Sequence, residues 1–119
     1  MALPWSPDRR DVIWIDCNPQ AGREMKDLHP MLVLSPRAFN ERTSIVIGLP
    51  MTTATYNDDN PFAVKVTGPR DVTGYVLCHQ PKSFDWRARK AKAHPWKQVT
   101  PAIFTEVCAR LNQIIGLCS

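Results

Sequence analysis

The chain has 119 residues, 44% apolar and 22% charged, with four cysteines and a formal net charge of +4. That suffices for one domain with a single core and not for two, and no apolar run approaches the ~20 residues of a membrane span. The opening MALPWSPDRRD lacks the basic-then-apolar pattern of a secretory signal, so a cytoplasmic protein is expected.

Eleven prolines chop the chain into short pieces and argue against long helices before residue 100. Val12 to Asp16, Met31 to Ser35 and Ser44 to Leu49 are β-branched or aliphatic runs bounded by turn residues, and they read as strands buried on both faces. Pro36 to Arg42 reads as a helical turn, with Ser35 as its cap and Pro36 at the first helical position. The polar stretch ATYNDDN, residues 54–60, is a turn or loop. Pro61 to Val66 and Gly74 to Cys78 read as two more strands. The closing helix is expected from Pro101 to Ile115, capped by Thr100 and ended by Gly116. Ile103, Val107, Leu111 and Ile114 form its apolar stripe, with Phe104 and Ile115 alongside, and Glu106 and Arg110 pair at i,i+4. The expected fold class is mostly antiparallel β with short helices, a barrel or half-barrel with a C-terminal helix packed on it.

Charge is unevenly placed. Residues 86–97, WRARKAKAHPWK, contain Arg87, Arg89, Lys90, Lys92 and Lys97 and no acid, leaving ten basic and eleven acidic side chains elsewhere. Trp86, His94 and Trp96 are interleaved with those cations, the combination that holds single-stranded nucleic acid by phosphate attraction and stacking. A solvated basic connector, or a patch for an acidic protein partner, has the same composition. Trp14 is expected in the core, Trp86 partly in the core and partly as a platform, and Trp96 exposed. Cys17, Cys78, Cys108 and Cys118 form no CxxC and have no histidine at metal-finger spacing. Cys108 and Cys118 stand about 15 Å apart along a helix axis, beyond disulfide reach. Reduced thiols, no metal and no cofactor are expected.

No phosphate loop or nucleophile elbow is present, so the segment GREMKDLHP, residues 22–30, is the first place to look for chemistry. It carries Glu24 and His29 between two apolar runs, a carboxylate and an imidazole suited to acid–base work. Taken alone, Glu24 is more often a solvated loop carboxylate than a base, and His29 is equally a turn residue. Thr52 and Thr53 alone are strand or turn formers.

In order and spacing, DVIWID, NPQAGRE, HPMLVLSP, RAFNERTS, LPMTT, NPFAVKV and SFDWRARKAK resemble the MazF/PemK (Kid) family of type II toxin endoribonucleases. The likeness runs from about Asp11 to Gly116. It implies one toxin domain over residues 1–119, with 1–10 an N-terminal extension and 101–116 the C-terminal helix, folded as an SH3-like, partly open barrel of the MazF/CcdB-like kind. It further implies a homodimer that cuts single-stranded RNA at short sequences without metal or ribosome, inhibiting translation and growth, and a cognate antitoxin with an acidic, disordered tail. By position, Glu24 matches the family's loop glutamate and Thr52 a threonine that contacts the scissile phosphate. Pro30 matches the proline after the catalytic arginine, whose place His29 takes here. Ala54 stands for a frequent glutamine and Cys17 for a common aromatic.

The implied reaction uses the ribose 2′-hydroxyl as nucleophile and leaves a 2′,3′-cyclic phosphate and a 5′-hydroxyl. Glu24 is expected as base, with its pKa raised by burial under RNA. Thr52 is expected as donor to a phosphate oxygen. His29 is expected as general acid, because an imidazole gives up a proton near neutrality far more readily than a guanidinium. Arg23, Lys26, Thr53, Trp86, Arg87, Arg89 and Lys90 are the expected RNA-binding set. A gyrase-poisoning toxin of the same fold is a second reading, though its Trp-Gly-Ile tail has no counterpart in Gly116-Leu117-Cys118-Ser119. A catalytically weakened RNA- or antitoxin-binding member is a third.

Overall fold

The computed structural model describes residues 4–17 and 28–116. Strands β1 (Asp11–Asp16), β2 (Leu28–Val33), β3 (Ile45–Thr52), β4 (Ala63–Thr67), β5 (Thr73–Leu77), β6 (Lys82–Asp85) and β7 (Lys92–Gln98) alternate with helices α1 (Arg37–Thr43) and α2 (Pro101–Ile115). The order across the sheet is β4-β5-β3-β2-β1-β7, every neighbouring pair antiparallel. β3 is shared: Ile45–Gly48 pair with β6, and Met51–Thr52 with β5. Gly48 lies where it changes partner, and a Cβ there would come within 2.3 Å of the Leu32 carbonyl oxygen. A side chain at this crossing would push β2 and β3 apart.

Successive residues of β1–β3 feed two cores on opposite faces, because strand side chains alternate. Val12, Leu32, Leu49, Met51 and Val76 face α2, whose Val107 is fully buried against them with Ile103, Phe104 and Leu111 beside it. Ile13, Ile15, Met31, Val33 and Val46 form the other core, sealed by Trp86 and Phe84. The continuous apolar runs follow from this double burial. The α2 signals act as expected. The Thr100 hydroxyl accepts from the Ile103 amide at 3.2 Å, Gly116 closes the helix at φ 64°, and Arg110 meets Glu106 at 3.5 Å. Arg110 also donates to the Pro61 carbonyl at 2.6 Å, tying α2 to the approach to β4.

Several expectations need correction. Pro36, not Ser35, is the cap residue of α1, and no side chain caps that helix. Ser35 instead donates to the Oδ1 of Asn40 at 2.5 Å and accepts from the Ile47 amide at 2.9 Å. Asn40, fully buried, donates to the Pro7 and Ser35 carbonyls, while its own carbonyl accepts from the Trp86 indole at 2.7 Å. β6 and β7 occupy a stretch with no strand pattern in sequence. β7 is charged and contains Pro95, which a sheet tolerates at an edge. Between Ala93 and Gln98 its register against β1 shifts, so His94, Pro95, Trp96 and Lys97 oppose only Val12, and Lys97 turns to φ 60°. This bulge throws Trp96 inward rather than leaving it exposed.

Trp96 lands on the far edge of the sheet. A Cβ at Gly68 would lie 2.2 Å from its indole, and one at Gly74 3.0 Å away. Gly68→Ala is therefore expected to dislodge the ring and cost about 1–3 kcal/mol, as overpacking does. The check is a urea midpoint that falls at unchanged slope.

Candidate active site

The strand registers build the site. Ile15 pairs with His29, and Thr52 with Tyr75. The β2–β3 pairing ends at Met31–Pro50, two residues short of His29 on β2 and of Thr52 on β3. Ile15 faces His29 across β1 and β2, and Thr52 faces Tyr75 across β3 and β5, at the same end of the sheet. Ile15 and Tyr75 are buried, Thr52 is half-buried and His29 is exposed. Asp16 pairs with Leu28, so both ends of the segment that carries Glu24 are fixed at this same end of the sheet. Arg23, Glu24 and Lys26 themselves lie outside the described residues.

Thr52 is held in turn. Its hydroxyl accepts from the Ala54 amide at 3.2 Å, where the chain leaves β3 for a 3-10 turn over Thr55–Asp59. Tyr75, its ring buried, donates to Asp58 at 2.5 Å, and Lys65 lies 3.3 Å from the same carboxylate oxygen. The Tyr75 hydroxyl and the Lys65 ammonium keep the Asp58 carboxyl below its ordinary range, while the same bond pushes the Tyr75 phenol up. Tyr75 fixes the turn after Thr52, a role no sequence pattern announces.

On the face opposite the Ile15–His29 pair lies a cleft of about 310 Å³, lined by Val12, Trp14, Pro30, Met51, Thr52, Thr53, Val72, Gly74, His94 and Trp96. Trp14 is a wall of this cleft, not the interior residue expected. His94 lies 4.4 Å from the Trp14 ring and 5.7 Å from Trp96, the second contact edge-on at 84°. Its Nδ1 accepts from the Trp96 amide at 3.0 Å, which leaves the ring proton on Nε2. Burial holds the His94 pKa below its usual value.

The expected basic set divides. Trp86 is 6% exposed, with its indole bonded to Asn40 and Trp5 packed edge-on at 6.0 Å, so it offers no stacking platform. Arg87 stacks 4.2 Å above Trp86 and donates to the Glu41 carbonyl and the Ser44 hydroxyl, anchoring α1. Arg89 lies over Phe84 at 4.7 Å and donates to the Asp16 carbonyl at 3.0 Å. With Lys82, Ser83 and Cys17 it lines a recess where the chain leaves β1. Burial pushes the Cys17 thiol up, against the pull of Arg89 and Lys82. Lys82 was not legible as a site residue, since nothing in KSFD marks a strand that crosses beneath this recess. Lys90 and Thr53 are exposed. Among the described residues no three His, Cys, Asp or Glu side chains gather as metal ligands.

An antiparallel half-barrel with a C-terminal helix packed on it is a fold shared with known proteins. Residues 8–115 match the PemK-like, MazF-like toxin family of type II toxin-antitoxin systems. Over 116 residues the chain is 34% identical to the endoribonuclease toxin MazF of Escherichia coli K12, covering 98% of this chain and 100% of that one. MazF from Deinococcus radiodurans has the same fold, with TM-score 0.80 and 32% identity over 96% of this chain and 100% of that one. A MazE–MazF complex from that organism follows at TM-score 0.79 and 27% identity, covering 95% and 98%. The chain belongs to this family, the MazF-like toxin endoribonucleases of type II toxin–antitoxin systems.

Tyr75→Phe removes the hydroxyl that lowers Asp58. The Asp58 carboxyl should then titrate at higher pH, a shift read by NMR. In the wild type this depressed carboxyl supports the fold above its unfolded pKa, and that support is lost as pH falls through the folded value. Acid sensitivity should therefore diminish in the variant.

Proposed function

We propose that the protein cuts single-stranded RNA at a short recognition sequence, free of the ribosome and without a metal ion, using Glu24 and His29 as the proton-transfer pair. The observation that supports this reading is that His29 on β2 and Thr52 at the end of β3 lie just past the Met31–Pro50 pair, at the end of the sheet where Asp16 and Leu28 flank the Glu24 segment. Glu24 takes the proton from the 2′-hydroxyl, whose oxygen attacks the adjacent phosphorus. Thr52 donates to a phosphate oxygen as charge builds there. His29 gives its proton to the departing 5′-oxygen, so that the products are a 2′,3′-cyclic phosphate and a 5′-hydroxyl. A histidine at this position gives up the permanent charge of an arginine and gains a transferable proton. Arg89 and Lys82, beside Cys17, supply fixed charge nearby. Arg23, Lys26, Thr53 and Lys90 complete the RNA contacts, while Trp86 and Arg87 support the fold beneath them.

Cleavage of this kind would inhibit translation and growth from the cytoplasm, and a cognate antitoxin with an acidic, disordered tail would lie across the same positive groove. The homodimer has its support in a largely apolar cleft of about 690 Å³ between α2 and the sheet, lined by Leu34, Ile47, Phe104, Leu111 and Ile115 among others.

With purified protein and synthetic single-stranded RNA, cleavage should persist in EDTA and end in a cyclic phosphate. Glu24→Gln and His29→Ala should each lower the rate about 100-fold or more, in keeping with the loss of a general base or acid. His29→Arg should not restore the rate, because a guanidinium does not give up its proton near neutrality. Full activity in His29→Arg would remove His29 from the acid role. Absence of cleavage in any RNA pool would leave an antitoxin- or RNA-binding protein instead.

A further inference from the structure

The geometry points to the cleft walled by Trp14, His94 and Trp96 as a subsite that receives one unpaired nucleobase of the RNA, stacked on the aromatic wall and read at its edge by the Nε2–H of His94. This rests on the RNA-cutting reading above and adds where sequence is read. At about 310 Å³ the cleft sits at the lower end of the roughly 300–1,000 Å³ typical of small-ligand sites, a fit for a planar ring rather than a peptide segment. Its lining is mostly apolar, which suits a π-face, and its polar groups are few. Stacking on indole is how unpaired bases are commonly held.

The wall is preorganised. Gly68 and Gly74 leave room for the Trp96 indole and no more, Trp96 braces His94 edge-on, and His94 lies against Trp14. The bond from the Trp96 amide to Nδ1 makes His94 a donor at Nε2, and that N–H has no protein partner among the described residues. A base presenting an acceptor edge satisfies it; one presenting only a donor leaves two N–H groups facing each other. Discrimination therefore follows from the tautomer, and a hydrogen-bonding site rejects the mismatched partner strongly. Thr52 lines the cleft at the end of β3, so a base seated here lies beside the threonine that the reading above assigns to a phosphate oxygen. Lys92, paired with Trp14 across β1 and β7 and exposed, stands at the wall with its charge available to the backbone of the same strand.

Two measurements decide the matter. In the first, a randomised single-stranded RNA pool is cut and its 5′ ends are sequenced. His94→Phe, which keeps the ring and removes the donor, should still cut but lose preference at a single position of the recognised word. Trp14→Ala should lower kcat/KM about 10-fold or more on every word. An unchanged base preference in His94→Phe, with wild-type rates, overturns the subsite. In the second, the cleavage-blocked His29→Ala protein is titrated with single-stranded RNA carrying 2′-deoxyribose at the cut site. Indole N–H resonances of Trp14 and Trp96 should shift while those of Trp5 and Trp86 stay fixed. Shifts without cleavage by the wild type would sink the nuclease reading and keep the base site. Cleavage without shifts would do the reverse, and RNA that leaves both indoles untouched while a cognate antitoxin peptide moves them would overturn the base site.

Discussion

The packing of one indole across an open sheet is the contact on which the rest of this molecule depends. Six strands run in order from β4 to β7, with β6 paired to β3 off that path, and among the described residues no strand pairing joins those two edges. An unpaired pair of edges invites association with other chains and leaves the interior open. Trp96 closes the gap by reaching from β7 onto Gly68 and Gly74 at the opposite side. Three local features make that reach possible: the extra residues of the β7 bulge, Pro95 with no amide to pair, and Lys97 in a left-handed turn. A side-chain closure differs from a hydrogen-bonded one in leaving space beside it. The aromatic cleft is that space.

Alternation then sorts chemistry from packing. Deep in β1, β2 and β3 both faces are covered, one by α2 and the other by Trp86 and Phe84. At the end of the sheet the same alternation continues after the covers stop. Odd-numbered His29 emerges on the face of Ile13 and Ile15, while Trp14 and Pro30 emerge on the face of Val12. The Ile15–His29 pair and the cleft therefore lie on opposite faces of one ladder, back to back. Thr52 ends β3 at the cleft, with its hydroxyl accepting from the Ala54 amide. A one-residue slip between β2 and β3 would exchange the two faces, so Gly48 and the Met31–Pro50 pair act on the site as well as on the fold.

The strands with continuous apolar runs were legible in sequence, and so was α2 with its Thr100 cap and Gly116 stop, because each rests on local patterning. β6 and β7 were not. KSFD and KAHPWKQ carry charges and a proline, and only their partners, β3 and β1, make them strands. The same gap hid the placement of His94 and Trp96, whose inward aim comes from a register shift that no single segment encodes. Tyr75 and Lys82 were missed because the first acts through Asp58 and the second through a neighbour 65 residues earlier in the chain, Cys17. His29 was legible beside Glu24 as an imidazole near a carboxylate, whereas Thr52 was legible as a candidate only through resemblance to a family. The structure adds that His29 and Thr52 stand at the same end of the sheet.

The basic segment shows why composition alone left its role open. Its residues perform three different tasks within twelve positions. Trp86 and Arg87 face the molecule: the indole is buried on Asn40 and the guanidinium is spent on the end of α1. Arg89 is stacked on Phe84 and bonded to the Asp16 carbonyl, which positions its charge at the recess by Cys17 instead of letting it swing in solvent. His94 and Trp96 are neutral walls. Only Lys90, Lys92 and Lys97 remain as exposed, long-stemmed cations of the kind that contact phosphates without regard to sequence. A chain of this size cannot separate support, charge and recognition into different domains. It separates them by residue, through the alternation and the bulge of a single edge strand.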